Sequence, residues 1–164
     1  MKAVYAGSFS PPTLGHLDII RRAAALFDEV VVAVLFQKEK KYDFTLEERL
    51  DMLRDITRGL DNVTIQADDG LLVDLVHRVG ADVIVRGLRG SGDLSQEMQM
   101  AEANRQIGSV ETVFIASRPA YSMISSTIVR ECASHRAPID SMVPPEVIDR
   151  VYNACHGHKA ERKA

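Results

Sequence analysis

Residues 2–36, KAVYAGSFSPPTLGHLDIIRRAAALFDEVVVAVLF, determine the fold class. Two nearly continuous apolar runs, 2–6 and 29–36, are typical of strands that are buried on both faces. A helical pattern over 14–27 separates them. A strand, a helix and a second strand in this order predict a right-handed crossover between parallel strands.

The rest of the chain continues this alternation. Further strands are predicted at 62–67, 82–86 and 110–116, and further helices at about 45–58, 70–79, 92–107, 125–136 and 145–155. The sequence therefore predicts a single-domain α/β fold, with a doubly wound, Rossmann-like sheet of five parallel strands, helices on both faces and a C-terminal helix. We expect the domain to span 1–157 and the polar segment 158–164 to form a flexible tail.

The composition limits the possible partners. A net charge of −3 and a pI of about 5.9 argue against nucleic acid as the main partner. No apolar run approaches the roughly 20 residues that span a bilayer, and MKAVYAGSF is too short for a signal peptide. Cys132 and Cys155 form no CxxC pair and are interpreted as reduced packing thiols. We therefore expect a cytoplasmic protein without a membrane partner.

Polar residues follow the predicted strands and do not precede them. Ser8 and His16 follow the first strand, the lysines of the KEKK run at 38–41 follow the second, and the segments 86–89 and 121–127 follow the fourth and fifth. In a doubly wound sheet, ligands bind beyond the carboxyl ends of the strands, where the winding reverses direction. One binding site is predicted at this edge.

The chemistry of these residues favours an anionic ligand. Ser8 supplies a hydroxyl next to Gly7, which lets backbone approach a ligand closely, and His16 lies near a helix N-terminus. Arg86 and Arg89 suit phosphate oxygens. The P-loop, GxGxxG and GxSxG patterns are absent, so P-loop hydrolysis, dinucleotide hydride transfer and serine hydrolysis lose their main sequence support.

Two further groups each allow two interpretations. Asp93 and Glu97 lie four apart on one helical face, where they either serve the site, by orienting the arginines or binding ribose, or form a solvated surface. The hydroxyls at 125–127 open a helix with Arg130 one turn later. Either one of them is simply an N-cap, or the group forms a second anion-binding helix terminus.

Several separated motifs resemble one enzyme superfamily. GSFSPPTLGH resembles the GxFxPxxxGH segment of the nucleotidylyltransferases, and ISSTIVR at 124–130 resembles their ISSTxxR element. FTLEER, RGLR, EMQMA at 97–101 and the Asn104–Arg105 pair are similar to the bacterial pantetheine-phosphate adenylyltransferases within that superfamily. The resemblance covers about residues 1–150, with the motifs in order and at the expected spacing.

This resemblance implies a reaction and its partners. Members of the family transfer an adenylyl group reversibly from ATP to 4′-phosphopantetheine, which gives dephospho-CoA and pyrophosphate in coenzyme A synthesis. The attack is direct and in line, Mg²⁺ assists, and no covalent enzyme intermediate forms. The resemblance further suggests a homohexamer and CoA as a feedback ligand. The sequence does not identify the Mg²⁺ ligands.

The resemblance also implies roles for individual residues. The implied catalytic residues are His16, Lys40, Arg89 and Ser126. Phosphopantetheine would be bound by Ser8, Lys40, Leu72 and Arg86. ATP would be bound by Ser8, Phe9, His16, Gly87, Leu88, Arg89, Glu97, Tyr121, Ser122, Met123, Ile124, Ser125, Ser126 and Thr127. The residues alone do not separate Lys40 from Lys41; only the resemblance does.

The chain departs from the family pattern at three places. Ser10 replaces the usual aspartate, FQKE at 36–39 replaces an Asn-Pro turn before Lys40, and the segment 93–97 lacks the usual aromatic residues. These departures concern loop shape and substrate affinity. Two alternatives therefore stay open: a related transferase for another acceptor, such as nicotinamide mononucleotide or a polyol phosphate with CTP, and a nucleotide-binding module that regulates a partner without catalysis.

Overall fold

The computed structural model describes residues 1–161 and contains five strands and six α-helices in that range. The strands are β1 (Lys2–Gly7), β2 (Glu29–Leu35), β3 (Val63–Asp68), β4 (Val83–Leu88) and β5 (Glu111–Ala116). The helices are α1 (Leu14–Leu26), α2 (Leu46–Ile56), α3 (Leu72–Arg78), α4 (Ser91–Gly108), α5 (Ser126–Ser134) and α6 (Ile148–Glu161). Every predicted strand and helix is present.

The five strands form one parallel sheet in the order β3-β2-β1-β4-β5. The chain winds outward from β1 to β3, then crosses back and continues from β4 to β5, so the winding reverses between β1 and β4. This is the doubly wound fold that the sequence predicts. The reversal places the loop after β1 beside the loop after β4.

Strand β2 shows why the apolar runs are continuous. Val30, Val32 and Val34 belong to the hydrophobic core on one face of the sheet, while Val31 and Ala33 belong to the core on the other face. Helices cover both faces, so neither set of side chains meets water. The alternation of a half-exposed strand is therefore absent from the sequence.

Local signals explain several element boundaries. The Thr45 hydroxyl caps α2 by accepting a hydrogen bond from the Glu48 N–H at 3.2 Å, and the Glu48 carboxylate accepts one from the Thr45 N–H at 2.7 Å.

Both cysteines are free thiols, and Cys155 is buried in the core, as expected for a packing residue. Of the predicted tail 158–164, helix α6 includes residues up to Glu161, and 162–164 lie outside the described residues. Within residues 1–161, no helix has the length and apolar character needed to cross a membrane.

Candidate active site

A cavity of about 320 Å³ opens where the winding of the sheet reverses. It brings together eleven of the sequence-predicted site residues: Ser8, His16, Arg86, Gly87, Arg89, Glu97, Tyr121, Ile124, Ser125, Ser126 and Thr127. These residues come from the end of β4, from the loops after β1, β4 and β5, and from the first two turns of α1, α4 and α5. The convergence expected at the carboxyl edge of the sheet is therefore present in the structure.

His16 is held in one orientation by the start of α1. The Thr13 backbone N–H donates to His16 Nδ1 at 3.0 Å, while Thr13 Oγ1 accepts from the His16 backbone N–H at 3.3 Å. This reciprocal pair is a capping box in which His16 takes the position that is usually occupied by Glu or Gln. Because Nδ1 accepts a hydrogen bond, the proton of the neutral ring lies on Nε2.

The protonation state of His16 follows from its surroundings. Burial, followed by the positive charges of Arg89 and Arg86, lowers the pKa of His16 to about 4. The ring is therefore neutral at pH 7, and Nε2–H is the hydrogen-bond donor that this cavity-lining residue offers a ligand. A neutral donor of this kind suits a phosphate oxygen and needs no change of charge to bind it.

The Phe9 side chain packs against the His16 ring and limits its movement. Phe9 is 1% exposed and its ring packs edge-on against the His16 ring with centroids 5.0 Å apart. A Cβ on Gly7 would lie 3.3 Å from Phe9 Cζ. Glycine at position 7 therefore gives the Phe9 ring room to pack closely, and Gly7 also lines the cavity. The close approach of a ligand to this backbone stays a prediction. Phe9 itself is absent from the cavity wall.

Arg86 is fixed at the end of β4 by three hydrogen bonds. Its Nε and Nη2 donate to the two carboxylate oxygens of Glu97, both at 2.7 Å, and its Nη1 donates to the Ala6 carbonyl at 2.8 Å. A guanidinium has five N–H groups, so one on Nη1 and one on Nη2 remain for a ligand. Two donors on one fork match two oxygens of a phosphate group.

Helix α4 supplies a carboxylate for each arginine. Asp93 accepts from Arg89 Nε at 2.8 Å in a pair that is more exposed than that of Arg86 and Glu97. Of the two interpretations open for Asp93 and Glu97, the structure therefore shows the one in which they orient the arginines. Both carboxylates also line the cavity.

The N-terminus of α5 forms the opposite wall. Ser125 is the N-cap and accepts from the Ile128 N–H at 3.2 Å, while the Ser126 hydroxyl donates to the Pro11 carbonyl at 2.7 Å. Arg130 is not part of the cavity wall: its Nε pairs with Asp43 Oδ2 at 2.9 Å, its Nη1 donates to the Ser10 carbonyl, and its Nη2 donates to the Thr127 hydroxyl at 3.4 Å. The structure thus shows Ser125 as an N-cap, and anion binding at this helix terminus stays a prediction.

The remaining sequence-predicted residues lie away from the cavity wall. Lys40 is exposed on the loop after β2, with its Nζ 5.5 Å from the centroid of the Tyr42 ring. Leu72 begins α3 and packs against the core on one face of the sheet. Leu88 ends β4, the Ser122 hydroxyl donates to the Pro119 carbonyl, and Met123 is 81% exposed.

The sequence analysis missed five residues of the cavity wall. These are Tyr5, Ala6, Thr13, Ile19 and Ser117. Thr13 has a local signal, since a threonine directly before a helical pattern is a candidate N-cap. The other four have no such signal, because Tyr5, Ala6 and Ile19 belong to apolar runs and Ser117 stands alone after the fifth strand. Burial raises the pKa of the Tyr5 hydroxyl, so this group is neutral.

The fold and the cavity define an α/β nucleotide-binding protein, and comparison with known proteins places it in a class. The family model described as "Cytidylyltransferase-like" matches residues 4–132. The solved structure of the "Putative Nicotinate-nucleotide Adenylyltransferase" of Vibrio parahaemolyticus has the same fold, with a TM-score of 0.64 and 18% sequence identity. The match covers 92% of this chain and 90% of that one. The chain is a nucleotidyltransferase.

Curated relatives narrow the class. The chain is 54% identical over 146 residues to the phosphopantetheine adenylyltransferase of Symbiobacterium thermophilum, with 88% of this chain and 90% of the relative covered. The enzymes of the same name from Deinococcus radiodurans (49% identity, 88% of each chain) and Thermobifida fusca (45%, 92% of each) are similar throughout. The chain belongs to the phosphopantetheine adenylyltransferase family, which confirms the resemblance seen in its motifs.

Proposed function

We propose that this enzyme transfers an adenylyl group reversibly from ATP to 4′-phosphopantetheine, forming dephospho-CoA and pyrophosphate in coenzyme A synthesis. One observation carries the proposal beyond the names of the relatives. A neutral imidazole on α1, one guanidinium group at the end of β4 and one directly after it all line the same cavity. Each of these three groups is a hydrogen-bond donor, which is what phosphate oxygens require.

The reaction needs no general base from the protein. The second pKa of a phosphate monoester is about 6, so the acceptor phosphate is largely a dianion at pH 7 and is itself the nucleophile. One of its oxygens forms a bond to the α-phosphorus of ATP, and the bond from that phosphorus to the oxygen bridging to the β-phosphate breaks. Pyrophosphate leaves with the electron pair of that bond, and no proton transfer is required.

The side chains would then act by positioning and by stabilising charge. His16 Nε2–H would donate to an α-phosphate oxygen, whose negative charge grows as the pentavalent transition state forms. The two remaining N–H groups of Arg86 would hold the acceptor phosphate together with the Ser8 hydroxyl. Arg89 and the Ser125–Ser126 turn would hold the β- and γ-phosphates, and the loop from Tyr121 onward would contact the nucleoside.

Two proposed phosphopantetheine contacts come from outside the cavity wall. Lys40 would approach the acceptor phosphate from the exposed loop after β2, and Leu72 would line the pantetheine arm from the start of α3. Phe9 would act through the His16 ring that it supports. The roles of Lys40 and Leu72 rest on the family motifs, because neither residue lines the cavity.

Magnesium enters this proposal as part of the substrate Mg-ATP. The carboxylates that line the cavity, Asp93 and Glu97, are already paired with Arg89 and Arg86. In the described part of the chain, no group of three or more His, Cys, Asp or Glu residues could hold a metal ion. The side chains present therefore do not fit a dedicated magnesium site, and we propose that phosphate oxygens and water supply the ligands.

One assay tests the proposal against its alternatives. The protein is incubated with Mg-ATP and 4′-phosphopantetheine, and pyrophosphate and dephospho-CoA are measured. Formation of both products in equal amounts supports the proposal, and absence of turnover overturns it. Turnover with nicotinamide mononucleotide, or with glycerol 3-phosphate and CTP, would indicate a related transferase. Tight ATP binding without turnover of any acceptor would indicate a regulatory module.

We also propose that the enzyme assembles with copies of itself, as a hexamer by family resemblance. Helix α4 has one buried residue, Asn104, while Leu94, Met98, Met100 and Ile107 on the same helix are exposed. Light scattering after gel filtration tests this assembly, and a monomeric mass would contradict it.

A cytoplasmic location and feedback inhibition by CoA stay predictions. Competition of CoA with ATP in the adenylyl-transfer assay tests the feedback.

A further inference from the structure

Arg49 is a buried cation that contacts the backbone of Ser8, a residue of the cavity wall. It lies on α2 and is 2% exposed, although it carries a full guanidinium group. Its Nη1 donates to the Ser8 carbonyl at 3.0 Å, and its Nε donates to the Thr45 carbonyl at 3.3 Å. A buried charge is costly unless its donors are satisfied, so its retention in the core needs a reason.

The flat face of Arg49 contacts the ring of Tyr42. The Arg49 Cζ lies 4.1 Å from the ring centroid, which is a cation–π contact. The same ring lies 5.5 Å from the Nζ of Lys40. One aromatic side chain is thus shared by a buried cation and by the exposed lysine that the proposed function assigns to the acceptor phosphate.

The hydroxyl of Tyr42 fixes the rest of this loop. It accepts a hydrogen bond from the Gln37 N–H at 3.2 Å, and the Lys40 N–H donates to the Gln37 carbonyl at 3.1 Å. The loop between β2 and α2 is therefore folded back onto its own tyrosine.

We propose that Arg49 and Tyr42 are positioning residues that fix Ser8 and Lys40 relative to each other and so shape the acceptor-phosphate side of the site. Arg49 holds the first loop through the Ser8 carbonyl and holds the second through the Tyr42 ring. Because one rigid guanidinium contacts both loops, a shift of either loop would disturb the other. The inference rests on the proposed function, since that function assigns Ser8 and Lys40 to the same acceptor phosphate.

Steady-state kinetics of matched variants test this inference. Tyr42→Leu removes the ring, Tyr42→Phe keeps the ring and removes the hydroxyl, and Arg49→Met removes the charge at similar length. Arg54→Met is the control, because Arg54 lies on the same helix and makes exposed ion pairs with Glu47 and Asp51. For each variant, kcat and the KM values for 4′-phosphopantetheine and ATP are measured.

The expected result is a split between the two substrates. Loss of a cation–π contact corresponds to about a tenfold change, so Tyr42→Leu and Arg49→Met should raise the KM for phosphopantetheine by about tenfold. The KM for ATP should stay within about twofold, and Tyr42→Phe should lie between Tyr42→Leu and the wild type. Equal rises in both KM values, or no change in a folded variant, would overturn the inference.

A second measurement does not depend on activity. Trypsin cleaves after lysine, and Lys38, Lys40 and Lys41 are exposed on the loop that Tyr42 holds. Without ligand, Tyr42→Leu should be cut there about tenfold faster than the wild type, with Tyr42→Phe in between and the Arg54→Met control unchanged. Equal cutting rates would contradict the positioning role, even where Arg49→Met does not fold. If the wild type fails to use phosphopantetheine, the proposed function fails, and the cutting rates still decide whether Tyr42 holds the loop.

Discussion

Replacing Glu97 by Gln tests whether α4 fixes the phosphate-binding fork of Arg86. Glu97 accepts two N–H bonds from Arg86, both at 2.7 Å, and the two side chains are 33% (Arg86) and 17% (Glu97) exposed. Glutamine keeps one acceptor oxygen, replaces the other with an NH2 group, and removes the negative charge. One charge-assisted hydrogen bond is therefore lost, and a donor faces a donor.

The size of the effect follows from these contacts. A hydrogen bond to a charged group is worth about 1.5–3 kcal/mol, and partial exposure reduces this, so we expect a loss of about 1–2 kcal/mol in the free energy of unfolding. For a chain of this length, the melting temperature should fall by about 2–8 °C. The kcat/KM for phosphopantetheine should fall by about tenfold, because the two free N–H groups of Arg86 lose their fixed direction.

The matched control is Asp93→Asn. Asp93 pairs with Arg89 on the same helix, but the side chains are 45% (Arg89) and 32% (Asp93) exposed, so we expect a loss of no more than about 0.5 kcal/mol. Urea unfolding followed by circular dichroism measures both variants. If Glu97→Gln is no less stable than Asp93→Asn, then Glu97 does not fix Arg86, and the positioning argument for this arginine is refuted.

Three further predictions concern single residues. In the ligand-free protein, proton NMR should show His16 neutral from pH 8 to about 5.5, with a titration midpoint near its pKa of about 4; a midpoint above 6 would contradict this. Because this pKa is lower than the unfolded value of 6.5, the contribution of His16 to stability is complete above pH 6.5 and is lost as the pH falls toward 4. His16→Ala should lower kcat by at least about a hundredfold with little change in ATP affinity, measured by stopped assay and calorimetry, and an unchanged kcat would remove it from catalysis. Gly108→Ala places a Cβ 2.5 Å from Val73 Cβ and should cost about 1–3 kcal/mol in thermal unfolding, whereas Gly92→Ala meets no atom within 4 Å and should not destabilise.

The strands were predictable because a strand that is buried on both faces has a continuous apolar sequence. Val30 to Val34 form an unbroken apolar run, and such a run on a short segment between helices has few other structural solutions. The carboxyl-edge rule then placed Ser8, His16 and Arg86 in one site without any knowledge of their contacts. Alternation of elements and the direction of the strands were sufficient for that step.

The side-chain partners were less predictable, because they depend on distant residues. The position of Arg130 one turn after the hydroxyls gave no sign of its partners in the structure, which are Asp43 and, 120 positions earlier, the Ser10 carbonyl. His16 was expected at a helix start, yet its role in a capping box with Thr13 was missed since histidine is not the usual residue there. The partners of Arg130 therefore follow only from tertiary packing, whereas the Thr13–His16 pair is local and was missed because of its residue type.

The charge balance of the cavity bears on the phosphate binding that we propose. The chain carries a net charge of −3, so an attraction to phosphate cannot come from the protein as a whole. In the proposed function it comes from Arg86 and Arg89, whose mutual repulsion without ligand is offset by the carboxylates of α4. These carboxylates lower the positive potential that attracts phosphate, but they hold the guanidinium groups in place before it binds. Fixed donors need no reorganisation during the reaction, so this arrangement favours the rate of the chemical step over the tightness of substrate binding.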